Sequence, residues 1–169
     1  MIYPPLDLRL ISLIAGIWLI FSHGFALLRP AAVQHWLRKL PRAWKHSPVA
    51  LVHASPESCW QAPAADAPDA EFESTYGSLR EPFVVYGHTH RPFIRRVHGL
   101  QATLINTGSV GLSYDGDPRA SYLLLDEAGP TIRRVEYDVA RELAALSSSG
   151  LPGAEWTAKM IRTASPQMP

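Results

Sequence analysis

Cysteine is nearly missing from this 169-residue chain, which carries a single one, Cys59. One thiol excludes an internal disulfide and any zinc centre built of cysteines, and it suits a reducing compartment, so a cytoplasmic location is the expectation. Net charge is nearly missing too. Sixteen Lys and Arg stand against fifteen Asp and Glu, a formal charge of +1, with no basic stripe of the kind that captures nucleic acid. Internal repeats and low-complexity tracts are absent. A hydrophobic share of 47% excludes wholesale disorder and collagen-like chains. Proline, by contrast, is plentiful: fifteen cut the chain into short elements rather than long helices. The length suits one domain of ordinary size.

One long hydrophobic run stands apart. From Leu10 to Leu28 the sequence LISLIAGIWLIFSHGFALL carries no formal charge. As a helix rising ~1.5 Å per residue it would reach about 28 Å, close to the hydrocarbon thickness of a bilayer. Three readings stay open. The run is a transmembrane anchor, or a signal peptide, or, on the blandest reading, an apolar helix packed on the domain or the unnatural start of a truncated chain. Gly24-Phe25-Ala26 imitates a small-residue cleavage site, but Pro4, Pro5 and Asp7 make a poor basic leader. If the run spans a membrane, Arg29, Arg38, Lys39, Arg42 and Lys45 hold the following domain on the cytoplasmic side. The expected division is an apolar segment at 1–28 followed by a domain at 29–169.

Within that domain, Val33, Trp36, Leu37 and Leu40 recur at helical spacing, and Pro41 closes the helix. Val49–His53 reads as a short buried strand ending in a histidine, 61–70 as a loop, and Phe83–Tyr86 as a second buried strand stopped by Gly87. Further strands are expected at 93–98, 102–106, 120–126 and 131–137. Asp115–Pro118 and Glu127–Pro130 supply turns. An amphipathic helix at 138–146 and a short second helix near 153–163 end the chain.

Three of the seven histidines follow directly on buried strands. His53 follows one; His88 and His90, within Gly87-His88-Thr89-His90-Arg91-Pro92, follow another. The carboxyl ends of buried strands converge on a crevice, the usual place for a site in an α/β sheet. Neutral imidazole is the commonest metal ligand, and a backbone carbonyl can fix its second nitrogen. Gly87 is expected to allow the sharp turn that brings His88 and His90 together. A His-x-His pair is also common at solvated or merely packed positions, so both readings stand at this point. His23, His35, His46 and His98 lack such a setting.

The wider pattern is more specific. LVHASP at 51–56, YGHTHRPF at 86–93, LINTGSVG at 104–111 and DPRASYLLLD at 117–126 occur in an order and at spacings that resemble the calcineurin-like metallophosphoesterases, in particular their small prokaryotic phosphodiesterase branch. The resemblance runs from about Leu28 to Thr163. It implies a four-layer α/β/β/α sandwich holding two divalent metals, manganese, nickel, zinc or iron, which clamp a phosphate and a bridging hydroxide. Carried over, His53 and His88 are ligands of one metal and His90 of the other. Asn106 and Gly108 lie on a loop near the substrate, with Gly108 allowing close backbone approach. The implied partner is a phosphoester small molecule or nucleotide.

Family motifs that should come first are not found in order. These are a strand ending in Asp-x-His, a Gly-Asp whose carboxylate bridges the metals, and Gly-Asn-His-Asp/Glu, whose histidine assists the leaving group. Gly116-Asp117 comes after the GHTH element, where a turn explains it. The expected fold is therefore a partial sandwich lacking its amino-terminal strands, preceded by an apolar helix. Without the bridging anion two dications repel each other, so poor metal occupancy and little or no phosphoesterase activity are expected. One zinc or nickel ion binds only if His53 and the GHTH turn close on one centre. A sheet so uncovered invites self-association, unless residues 10–28 fold back over it. The alternatives to an enzyme are a non-catalytic remnant or a membrane-tethered binding module. Ala54 stands where the family has glycine, which costs about 1 kcal/mol if the position needs a positive φ. Carbonate extraction of the expressed chain tests the anchor: retention in the pellet is the expected outcome if 10–28 spans, and release into the supernatant overturns it.

Overall fold

The computed structural model describes residues 41–167 together with His35 and Lys39. The helix expected at 31–40 and the run 10–28, with its membrane, leader and packed-helix readings, lie outside these apart from those two positions. Among the described residues no helix is long and apolar enough to cross a membrane. The chain divides into two units at Pro41–Arg42, and its described strands and helices belong to the second.

Seven strands and three α-helices follow in the order β1 (Ala43–His46), β2 (Val49–Val52), α1 (Asp69–Tyr76), β3 (Phe83–Tyr86), β4 (Phe93–Val97), β5 (Ala102–Asn106), β6 (Ala120–Asp126), β7 (Gly129–Val135), α2 (Val139–Ser148) and α3 (Ala154–Thr163). β1 to β5 form one sheet in the order β1-β2-β3-β5-β4, and β6 with β7 forms a two-stranded sheet. β2, β3 and β5 are parallel, whereas β1 and β4 close the edges antiparallel. Position explains the sequence of each strand. Val84, Val85 and Tyr86 of β3 are all buried, the continuous apolar run of a strand covered on both faces. β2, one place nearer the edge, alternates: Ala50 and Val52 point inward and Leu51 is 41% exposed.

The core lies where α1 crosses the sheet. Phe72 and Tyr76, one helical turn apart, face inward against Tyr86 and Phe93, with ring centroids 5.2 Å apart for Tyr76–Tyr86 and 6.1 Å for Phe72–Phe93. Arg95 of β4 lies 5.0 Å above the Phe72 ring and pairs with Asp69 in the first turn of α1. Burial pushes both tyrosine phenols well above their usual range. They stay protonated, so this core loses stability as pH climbs past the ordinary phenol range of about 10.

Two elements were not expected. α1 occupies residues read as the end of a loop and beyond, because only its two aromatic residues at i and i+4 mark a helix in DAEFESTY. β1 is a short, largely exposed edge strand, and AWKH carries no buried alternation to betray it. The second hairpin also shifts. Leu125 pairs with Pro130 and Asp126 with Gly129, so the turn is only Glu127-Ala128 and β7 begins two residues before the expected 131. The loop ahead of β6 is tied down by Arg134, which pairs with Asp115 and donates to the Arg119 carbonyl at 3.2 Å. A hydrogen bond from Arg119 beside it, backed by Arg134, lowers the Asp117 carboxyl to about 2. That pair stabilises above the ordinary carboxylate range and is lost as pH falls through about 2; being exposed, it contributes little.

Gly108 fastens this hairpin to the main sheet. It has φ +73°, and a Cβ there would stand 2.9 Å from Ser121 Oγ and 3.0 Å from Pro92. Ser121 completes the junction, its hydroxyl donating to the Thr107 carbonyl at 2.7 Å and its amide to the Ser109 carbonyl at 2.8 Å. In this structure the close neighbours of Gly108 are Ser121 and Pro92. Gly108→Ala combines a left-handed backbone with that overlap and is expected to cost about 2 kcal/mol, read as a fall in thermal midpoint of roughly 6 °C or more; an unchanged midpoint would contradict the packing.

Candidate functional site

Parallel pairing of β2, β3 and β5 brings their carboxyl ends out together. The ladder runs on past the strands: the Gly87 amide donates to the His53 carbonyl at 3.0 Å, and the Thr107 amide to the Tyr86 carbonyl at 3.2 Å. Register therefore sets His53 across from Gly87, the residue before His88 in the chain. The imidazoles of His53 and His88 lie 5.2 Å apart between centroids, with planes at 70°.

The turn that carries His88 and His90 holds a surprise. The left-handed backbone falls on the two histidines, with φ +63° and +56°, and Gly87 is not among the residues with positive φ. The glycine freedom expected at Gly87 is not used there. Left-handed backbone at a non-glycine residue costs on the order of 1 kcal/mol or more and persists where surrounding bonds over-determine it. Asn106 supplies those bonds. It is fully buried at the end of β5, and its amide donates to the Gly87 carbonyl at 2.6 Å and to Thr89 Oγ1 at 3.0 Å, while its oxygen accepts from the Gly108 amide at 2.9 Å. Both amide hydrogens go to the turn, so Asn106 holds the backbone that carries the histidines.

Each histidine of the turn has one nitrogen fixed. His88 Nε2–H donates to the Trp60 carbonyl at 3.1 Å, which leaves Nδ1 as its lone pair. His90 Nδ1–H donates to the Leu112 carbonyl at 2.7 Å, leaving Nε2, and the ring stacks on Tyr114 at 4.8 Å. Ala54 is fully buried and has no positive φ, so alanine there is free of the cost considered for it. Its carbonyl accepts from the Tyr76 hydroxyl at 2.6 Å, which ties the backbone after His53 to the core.

His53 and His88 meet; His90 is turned toward Tyr114. Among the described residues no group of three or more His, Cys, Asp and Glu is disposed to hold a metal ion. The donor set at the corner is two neutral imidazoles without a carboxylate, and it does not fit a centre for two dications, whose repulsion needs an anion between them. Beside His88 opens a cleft of about 740 Å³, walled by Ser58, Trp60, Thr89 and Tyr114 among others; among the described residues that line it, Glu57 and Glu71 carry the formal charges. Trp60 and Thr89 were not singled out in the sequence. Thr89 stood inside the GHTH element, and Trp60 was a lone aromatic residue in a Ser/Pro/Ala-rich loop.

Residues 30–129 match the calcineurin-like phosphoesterase superfamily domain. The chain is 31% identical over 134 residues to an uncharacterized protein, MJ0912, of Methanocaldococcus jannaschii, a match covering 69% of this chain and 52% of that one. A crystal structure of a metallophosphoesterase from Sphaerobacter thermophilus is similar with a TM-score of 0.65 and 26% identity, over 77% of this chain and 60% of that one. The hypothetical protein PH1004 from Pyrococcus horikoshii shares the fold with a TM-score of 0.64 at 18% identity, over 79% and 54%. The chain thus spans little more than half the length of these relatives.

Asn106→Leu keeps the branched shape but removes all three bonds: the Gly108 amide is left without a partner, and the Gly87 carbonyl keeps only the Thr89 amide. It is expected to cost about 2–3 kcal/mol in urea unfolding and to shift the ring resonances of His88 and His90. Unmoved histidine resonances would show that the turn stands without Asn106.

Proposed function

The chain belongs to the calcineurin-like phosphoesterase superfamily, and from that premise we propose that it supplies the histidine half and the cleft of a phosphoester hydrolase, binding phosphoesters while turning them over little or not at all by itself. The observation that carries this reading is the meeting of His53 and His88, 5.2 Å apart, at the carboxyl ends of adjacent parallel strands. Hydroxyl groups beside the corner suit a phosphoryl group. Thr89 Oγ1 accepts from Asn106 at 3.0 Å and Ser58 Oγ accepts from the Trp60 amide at 3.1 Å, so each keeps its hydroxyl hydrogen to donate into the cleft that both line.

Turnover is another matter. The superfamily uses divalent metals, and the corner offers them neutral donors only. No hydrolytic step follows from the described residues. Acidic ligands brought by a second polypeptide would complete a phosphodiesterase or phosphatase, with His53, His88 and His90 as its imidazole donors. A non-catalytic binding module is the second reading, favoured by the carbonyls that already engage His88 and His90.

Hydrolysis of bis(p-nitrophenyl) phosphate in manganese or nickel tests the proposal. The expected rate lies within error of the metal-only blank, with less than one equivalent of metal retained after desalting. A rate well above the blank, abolished by His88→Ala and by His90→Ala, would instead establish a working hydrolase.

A further inference from the structure

The cleft beside His88 has one wall that hydrolysis does not explain. Trp60 is 82% exposed, an unusual state for the largest apolar side chain. Its backbone is nevertheless held firmly. The Trp60 amide donates to Ser58 Oγ at 3.1 Å, and its carbonyl accepts from His88 at 3.1 Å. Just before it, the Ser55 amide donates to the Ser58 carbonyl at 2.9 Å and the Ser58 amide to Ser55 Oγ at 3.2 Å, closing a tight turn. Arg42 adds a bond to the Glu57 carbonyl at 3.1 Å. A bare indole thus stands on a fixed backbone rather than on a free loop.

Its orientation relates it to the histidine corner. The indole and His88 centroids are 6.4 Å apart, with planes at 79°, so the two rings form adjoining walls at a near right angle. The cleft they share, about 740 Å³, falls in the range of small-ligand sites. Its charge narrows the ligand. Among the described residues that line it are Glu57 and Glu71 and no lysine or arginine, which opposes a multiply charged anion and tolerates a single charge.

We infer that Trp60 is a stacking platform for a flat aromatic group, and that the ligand class of this cleft is a singly charged phosphodiester bearing such a group, a nucleobase or an aryl ring. The inference rests on the phosphoester reading of the same cleft, and it assigns Trp60 to specificity.

The test uses the full-length chain labelled with ¹⁵N, titrated with four probes: the p-nitrophenyl ester of thymidine 5′-monophosphate, diethyl phosphate, phenyl phosphate and thymidine. The indole Nε1–H resonance of Trp60, identified by its loss in Trp60→Phe, is followed alongside the dissociation constants. The aromatic diester is expected to move that resonance and to bind more tightly than either diethyl phosphate or the doubly charged phenyl phosphate. Trp60→Ala should weaken it by about tenfold, the scale of one stacked base, leave diethyl phosphate unchanged, and be largely rescued by Trp60→Phe. Equal affinity for the aromatic and alkyl diesters, equal losses for both in Trp60→Ala, or an unmoved indole resonance would overturn the inference. Thymidine binding as tightly as its diester would leave the platform standing and remove the phosphoester reading instead.

Discussion

Three hydrogen bonds from one buried amide hold this site together. Asn106 donates twice into the Gly87–Thr89 backbone and side chain and accepts once from Gly108. His88 and His90 sit in left-handed backbone that most side chains avoid, and Gly108 stands where a Cβ would meet Pro92 and Ser121. A carboxamide suits the task because it offers two donors and an acceptor in one plane; an aspartate would set a second oxygen against the Gly87 carbonyl. The bond to Thr89 uses its Oγ1 as an acceptor and so ties a side chain that lines the cleft to the buried end of β5.

Electrostatics then separates binding from turnover. A corner of two neutral imidazoles brings directed lone pairs without charge, and two dications held together need an anion between them. The carboxylates that line the cleft, Glu57 and Glu71, belong to no group of three metal-ligating side chains among the described residues. On the proposed reading they oppose a multiply charged anion, which is why a diester suits this pocket better than a monoester. Superfamily membership and weak chemistry are compatible on these terms.

Much of the fold could be read from residue order. Phe83–Tyr86 and Ala102–Asn106 are apolar runs stopped by Gly87 and by the Thr107-Gly108 turn, and they form the buried centre of the sheet. The order of HASP, GHTH and NTGS elements was enough to point to the superfamily, because each stands at a strand end and the spacings are set by the connections between strands. Three things were not legible. α1 is eight residues long with two inward side chains, too few for a period to emerge. The sharp turn is expected to use the freedom of Gly87, whereas the observed turn places the left-handed backbone on histidines that long-range bonds restrain. The task of Asn106 depends on Thr89, 17 residues earlier, and no local pattern carries that pairing.

The loop between β2 and α1 shows how core and cleft are coupled. A long connection rich in Ser, Ala and Pro has little apolar surface with which to pack, and by composition alone it would wander. Instead the core reaches out to it. Tyr76 donates to the Ala54 carbonyl at 2.6 Å, and Arg95 donates to the carbonyls of Ala65 and Ala67 at 3.3 and 2.7 Å. Pro56, Pro63 and Pro68 reduce the freedom the chain would lose on being fixed. A wall fixed before a ligand arrives costs nothing further to order when it binds. The two tyrosines and the arginine that stabilise α1 against the sheet therefore also set the shape of the pocket, and a change in that core reaches the histidine corner through the backbone carbonyl of Ala54.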